Sequence, residues 1–263
     1  MQDNNITTLV KGMIIGATMI IPGVSGGTMA IILGIYDQLI RAVSSFKKEA
    51  KKNAFFLLVF TIGAGGGAML FASRLLWILE IFPMPTLYFF LGAVFGGIPL
   101  IERKAGLQKF SGDVLFCLLL GVGSVLVFSG IPVGQAAGHD SVLVFTIMGV
   151  VSSIALILPG ISLSHFFLMM GMYDDLIKGI KEMDLHFLVP VGVGGILGIV
   201  LFTKILEWVL TKYPKQTYMV ILGFILASIA QVFPGIPKKE ELAWCIGTGI
   251  AGFYLVHKIG RER

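Results

Sequence analysis

Long apolar blocks, separated by short polar joints, make up most of the chain. The runs 55–79, 86–101, 114–131, 143–158, 187–210, 217–233 and 242–256 are mostly close to the roughly 20 residues that a helix needs to cross hydrocarbon. They predict membrane helices. Two further apolar runs, 9–35 and 166–177, are broken or short. Proline removes a helix donor and glycine weakens a helix by about 1 kcal/mol. The chain therefore has to turn at Pro22-Gly23 and at Pro159-Gly160.

The two breaks belong to a duplicated pattern. Pro22-Gly23-Val24-Ser25 recurs as Pro159-Gly160-Ile161-Ser162, and Gly34-x-Tyr36-Asp37-x-Leu39-Ile40 recurs as Gly171-x-Tyr173-Asp174-x-Leu176-Ile177. Gly12 matches Gly149, Pro83-x-x-Thr86 with Leu91-Gly92 matches Pro214-x-x-Thr217 with Leu222-Gly223, Arg74 falls opposite Lys204 and Cys117 opposite Cys245. The charge-poor stretch 132–140 serves as the linker, so the expected units are residues 1–135 and 136–263.

Beyond the first break only seven apolar residues, Met29 to Ile35, precede Tyr36-Asp37. That is about 10 Å of helix, well short of a core roughly 30 Å thick, so the expected local form is a half-depth hairpin. Each half then has three full crossings, an odd number, and the second half is upside down relative to the first. Inversion puts 14 Lys and Arg on the cytoplasmic side against 4 outside, whereas a broken crossing helix gives 12 against 6. The positive-inside rule favours inversion. The expected fold is an all-α integral membrane protein of two inverted repeats, each a re-entrant helical hairpin plus three transmembrane helices.

The hairpin tips carry Ser25-Gly26-Gly27-Thr28 and Ser162-Leu163-Ser164-His165. Non-helical backbone at membrane depth persists only inside protein or along a watery cavity. Free amides, a positive helix end and hydroxyls there form an anion cradle. Discontinuous helices at matching places of two halves point to a transport site. Candidate substrate-binding residues are Ser25, Gly26, Gly27, Thr28, Ser162 and Ser164, joined by Arg74 and Lys204 as cations within apolar runs. Both cations can instead snorkel beside Glu80 and Glu207. Coupling or gating candidates are His165, Asp37, Asp174, Glu80 and Glu207. Gly12-x-x-x-Gly16, Gly92-x-x-x-Gly96 and Gly194-x-x-x-Gly198 read as close-packing seams.

Composition agrees with this picture. The 263 residues are 56% hydrophobic and 13% charged, with a mean hydropathy of +0.91, against about 25% charged in soluble domains. The start, Met1-Gln2-Asp3-Asn4-Asn5, lacks a basic region, so a removable signal peptide is not expected. The net charge of +5 sits in short loops, which fits membrane orientation and contact with anionic lipids, above all at Lys47-Lys48-Glu49-Ala50-Lys51-Lys52, rather than nucleic acid. Cys117 and Cys245 lie in apolar runs and read as packing residues. His139, His186 and His257 have no ligand spacing, so neither metal nor cofactor is expected.

At the residues of the two breaks the sequence resembles the DUF368 family of bacterial membrane proteins, identified as polyprenyl-phosphate transporters. The resemblance spans essentially the whole chain and is most specific at Pro22 to Thr28 with Gly34-x-Tyr36, and at Pro159 to Ser162 with Gly171-x-Tyr173. The chain has Leu163 where the family's second motif usually has glycine. The resemblance implies return of undecaprenyl phosphate from the outer to the inner leaflet of the cytoplasmic membrane. Undecaprenyl-pyrophosphate phosphatases also resemble an inverted repeat with a Pro-Gly-x-Ser tip, but they follow the serine with a basic residue and add an acidic cluster. Here Gly26 and Leu163 stand at that position, and no Glu-x-x-x-Glu run lies in any span. Hydrolysis lacks its parts. A carrier of another small anion or an ion-coupled solute uses the same half-helix physics and stays open. Inverted halves predict that single cysteines placed at Lys48 and Lys181 react with impermeant probes from opposite sides of the membrane; labelling from one side rejects inversion.

Overall fold

A computed structural model describes residues 4–19, 24–107, 111–130, 141–161, 163, 166–167 and 170–261, and every regular element among them is helical. The first half contributes α1 (Asn5–Thr18), α2 (Gly26–Ile32), α3 (Tyr36–Ser44), α4 (Ala50–Ile81), α5 (Pro83–Lys104) and α6 (Gly112–Gly130). The second contributes α7 (Val142–Ile157), α8 (Tyr173–Glu182), α9 (Leu185–Lys212), α10 (Pro214–Val232) and α11 (Lys239–Arg261). A 3-10 turn, Phe46–Glu49, leads from α3 into α4. The spans Phe46–Phe71, Pro83–Lys104, Leu185–Lys212 and Lys239–Arg261 are long and apolar enough to cross a membrane, and α6, α7 and α10 are shorter apolar helices. Large apolar side chains such as Leu58, Ile62, Ile196, Leu201 and Ile250 are exposed along them, as expected where lipid is the solvent. The chain is an all-α membrane protein.

Chain punctuation follows local chemistry. The short α2 ends at Gly34, whose φ of +66° is open to glycine without a Cβ clash. There Gly34 N–H donates to Ile31 O and Ile35 N–H to Ala30 O, both at 2.9 Å, which closes the helix with a Schellman pair. Gly171, φ +69°, repeats the turn, with Met172 N–H donating to Phe167 O at 3.0 Å. Pro83 and Pro214 open α5 and α10 at the first turn, where a missing N–H costs nothing. The Pro22-Gly23 break lies outside the described residues, as does the linker 132–140.

Backbones meet along glycine seams that recur at corresponding positions. A Cβ on Gly12 would strike the Phe60 carbonyl and one on Gly63 that of Leu9; in the other half Gly149 faces Val191 and Gly194 faces Thr146 in the same way. α1 therefore lies on α4 as α7 lies on α9. Between the halves, Gly92 and Gly252 press α5 onto α11 at the carbonyls of Gly249 and Phe89, while Gly121 and Gly223 press α6 onto α10 at Val220 and Leu118. The most deeply buried side chains, including Ile31, Ile35, Tyr36, Met219, Ile221 and Ile225, join α2 and the start of α3 to α10.

The contacts also fix direction. Leu9 opposes Gly63 and Met13 opposes Gly67, so α1 runs parallel to α4. α3 then hands the chain back to the start of α4, the end where α1 begins. α5 starts beside the end of α10, where Tyr88 Oη donates to Gly235 O at 3.1 Å, and finishes beside its start, where Lys104 Nζ lies 5.7 Å from the Tyr218 ring centre. α5 and α10 thus run in opposite directions. Because α4 and α9 precede them through the single residues Phe82 and Tyr213, these too are opposed. The end that gathers Lys48, Lys104, Lys212 and Lys215 is called the basic end below. Lys11, which composition assigns to a loop, lies within α1 at 4% exposure beside buried Thr8.

Substituting Gly252→Leu or Gly223→Leu forces the seams apart and is expected to cost about 1–3 kcal/mol, read as a fall in melting temperature in detergent. Gly66→Ala and Gly123→Ala, which meet open space, are the controls and should leave it unchanged or raise it.

Candidate functional site

The two breaks meet inside the protein. Ser25 is the N-cap residue of α2, and the residues after it turn the helix onto the second break: a Cβ on Gly27 would lie 3.1 Å from the Pro159 Cα and N. Thr28 Oγ1 accepts the Gly160 N–H at 2.9 Å, and Tyr36 Oη donates to Ile157 O at 3.1 Å. Gly160 itself adopts φ +83° against the Phe224 carbonyl, so α10 backs the junction. These bonds satisfy donors and acceptors that the end of α7 would otherwise leave bare.

Beside the junction Ser25, Thr28 and Ser228 line a cleft of about 20 Å³ between α2, α5 and α10. It has room for one water molecule, which needs roughly 10–15 Å³, and none for a phosphate. Pro22 and Gly23 of the first tip lie outside the described residues. Ser25 makes no hydrogen bond through its side chain among the described residues. Gly26 faces the flexible end of Met19, with a Cβ 2.7 Å from its Sδ, so the backbone-tight position of the tip is Gly27. Ser162, Ser164 and His165 lie outside the described residues; Leu163 packs with the cluster of Phe145, Met148, Phe167 and Met172.

The charged candidates are placed differently from one another. Asp37 accepts the Tyr218 hydroxyl at 2.6 Å and pairs with Lys104, joining α3, α5 and α10 at the basic end. Asp174, its counterpart, is exposed with no partner among the described residues. Glu207 on α9 accepts Ser44 Oγ at 2.6 Å and Ser45 Oγ at 3.1 Å, fastening the end of α3. Arg74 is exposed within α4, with Nη1 donating to its own helix at Leu70 O, and Glu80 is exposed further along. Since α4 and α9 run oppositely, Arg74 and Lys204 sit toward opposite ends of the bundle and do not converge on one ligand.

Lys204 instead lines a pocket of about 550 Å³ with Lys47, Lys48, Ser44 and Ser45, walled by Leu57 of α4 and Ile196, Ile199 and Val200 of α9. In the sequence Lys47 and Lys48 read as orientation charges, and neither Lys104 nor Tyr218 stands out as a candidate. The available signal was position: Tyr218 follows the duplicated Thr217, and Lys104 closes an apolar run.

Thr28→Val leaves the Gly160 N–H without its acceptor and should destabilise the protein by about 1–3 kcal/mol, with Thr28→Ser close to wild type. Thermal unfolding in detergent distinguishes them.

Residues 15–248, which include both breaks and most of the described helices, match the VCA0040-like family, described as undecaprenyl phosphate translocase-like. A polyprenyl-phosphate transporter of Vibrio cholerae is 29% identical over 260 residues, covering 93% of this chain and 82% of the relative. A polyprenyl-phosphate transporter of Staphylococcus aureus is 28% identical over 278 residues, covering 99% of this chain and 98% of the relative. No solved structure matches the chain. With the match extending from within α1 to within α11, the chain belongs to the undecaprenyl phosphate translocase-like family.

Proposed function

We propose that this protein is a polyprenyl-phosphate transporter of the bacterial cytoplasmic membrane, returning undecaprenyl phosphate from the outer to the inner leaflet. Family membership over both breaks carries the reading, and the two similar transporters share it by name. A phosphate headgroup cannot cross hydrocarbon unaided, because desolvating an unpaired charge is prohibitive. Its prenyl tail can remain in lipid while the headgroup follows a polar route through protein.

The halves act as inverted repeats, each with a re-entrant hairpin. Supporting this are the opposed directions of α5 and α10, the parallel pairing of α1 with α4 and α7 with α9, and the return of α3 to the end where α1 begins. The positive-inside rule makes the basic end cytoplasmic. Passage occurs at the junction of the tips, with Ser25, Thr28 and the backbone around Gly27 and Gly160 receiving the headgroup once α2 parts from the second break. The Asp37–Lys104–Tyr218 cluster holds the cytoplasmic end of that junction shut and serves as its gate. Asp174, Arg74 and Glu80 stand outside this cluster.

Reconstitution in liposomes containing undecaprenyl phosphate tests the reading, with leaflet accessibility of the headgroup as the readout and phosphate release from undecaprenyl pyrophosphate followed in parallel. Wild type is expected to move the headgroup without releasing phosphate. Asp37→Asn is expected to change the rate by about tenfold, the consequence of losing one charge-assisted bond, and Asp174→Asn to leave it unaltered. Phosphate release by wild type, or no movement of the headgroup, overturns the proposal.

A further inference from the structure

The 550 Å³ pocket at the basic end has a composition that selects its occupant. It lies between the 3-10 turn, α4 and α9, and its polar rim consists of Lys47, Lys48 and Lys204 with Ser44 and Ser45. Its volume is typical of a small-molecule site, for which about 300–1,000 Å³ is usual. No carboxylate lines it. Glu49, the acid nearest in sequence to the paired lysines, is bound to Lys52 at 2.9 Å, and Glu207, one turn from Lys204, is taken up by Ser44 and Ser45. Three lysines therefore line the same pocket, and the acid nearest to it, Glu207, is engaged by the Ser44 and Ser45 hydroxyls. Below them Leu57, Ile196, Ile199 and Val200 form an apolar wall on helices that run into the membrane. A soluble anion would leave this wall bare, and a neutral lipid would leave three cations without a partner. The complementary ligand has both an anionic head and a hydrocarbon tail.

The number of cations narrows the class further. A phosphate monoester carries about −1.5 to −2 charges at neutral pH, whereas the phosphodiester of a common anionic phospholipid carries a single one. Three lysines around one head favour the more highly charged monoester. The pocket is also one-sided. In the first half α3 packs on α9 and the lysine turn follows it, but in the second half α8 folds back on its own α9, with Gly179 against Phe187, and no comparable packing of α8 on α4 occurs among the described residues. A site repeated by the duplication would be present at both ends. This one belongs to a single leaflet.

We propose that this pocket is a leaflet-specific docking site for the phosphomonoester headgroup of a prenyl lipid, the tail lying along Ile196, Ile199 and Val200 and the phosphate held by Lys47, Lys48 and Lys204. The assignment deepens the transport reading and rests on it for the choice of lipid; under that reading the pocket is where the substrate leaves the protein on the cytoplasmic side. Ser44 and Ser45 donate to Glu207 and fix its carboxylate at the pocket's edge, and so are positioning residues. The site is distinct from the tip junction, where the cleft among the described residues holds only about 20 Å³.

The test measures binding of undecaprenyl phosphate, undecaprenol and phosphatidylglycerol to the full-length protein by native mass spectrometry, with transport assayed on the same preparations. Wild type should bind undecaprenyl phosphate at least about tenfold more tightly than either of the others, and Lys204→Gln and the double change Lys47→Gln with Lys48→Gln should each weaken it about tenfold. Val200→Trp, which fills the wall without altering charge, should weaken it as well, and Lys178→Gln with Lys181→Gln at the opposite end should not. Unfolding temperatures identify any variant that loses its fold, and the remaining variants then decide. Wild-type binding in the lysine variants overturns the pocket, as does equal binding of phosphatidylglycerol lost in parallel, which marks only a basic surface. If wild type transports and the pocket variants bind and transport normally, the pocket fails alone. If wild type does not transport, the functional reading fails while the binding series still judges the pocket.

Discussion

A backbone group deprived of both water and a partner costs several kcal/mol in hydrocarbon, and this chain interrupts a helix twice within its apolar interior. The structure resolves the second interruption with side chains from the first half. Thr28 accepts the Gly160 N–H and Tyr36 donates to the Ile157 carbonyl. Neither bond is local, since the partners are 132 and 121 residues apart in sequence. The break in α7 is stable because the other half completes it. Opening this junction exposes the same polar groups, so it requires either water or a ligand able to replace them, and a phosphate with several acceptor oxygens meets part of that need.

Between helices in lipid there is little hydrophobic force, and close backbone packing takes its place. Here that packing has a definite layout. The α5–α11 and α6–α10 seams cross from one half to the other, so neither half can rock away as a body without separating glycines from the carbonyls they touch. The elements free of such seams are α2, α3 and α8. They are short and flank the breaks: α2 ends at Gly34 with positive φ, α3 is held by the clasps Asp37–Lys104 and Ser44–Glu207, and α8 ends at Met183 with φ +53°. Motion that serves transport is therefore least costly in these elements, with the seamed helices as a frame.

Much of this frame was legible in the sequence. Apolar runs coincide with α4, α5, α9, α10 and α11, and Gly34 and Gly171, matched in the duplicated pattern, both take positive φ at turns closed by the same backbone bond. Small-residue spacing at Gly12, Gly92 and Gly194 named three seam positions correctly because a 3.6-residue period leaves its mark on one chain segment. What could not be read is whatever depends on remote segments. Asp37 was visible as a candidate, but Lys104 and Tyr218 reach it from two other helices, and no spacing encodes that. Arg74, a cation within an apolar run, is exposed in the later part of the 32-residue α4 and donates to its own helix at Leu70 O. Lys11, counted among the orientation charges, lies buried within α1.

The duplication makes the halves alike, yet the two ends of the bundle differ. The basic end has the Asp37–Lys104–Tyr218 cluster, the lysine turn and the Glu207 clasp, while the other end has an exposed Asp174 and a joint in which Met183 takes φ +53°. Such asymmetry sets how long each state lasts and what docks in each leaflet. It cannot by itself drive net movement, because a ligand shifts an equilibrium only through its difference in affinity between states. The membrane potential adds a constraint of known size, about 2.3 kcal/mol for each elementary charge per 100 mV. With the cytoplasm negative, bringing a doubly charged phosphate inward runs against that field by roughly twice this amount. A carrier working in the proposed direction must therefore move compensating positive charge with the headgroup or carry it in a protonated form. The lysines of the docking pocket remain on their helices and cannot supply that charge across the membrane. Under the proposed direction it enters with the lipid from the opposite leaflet and leaves at the end assigned to the docking pocket.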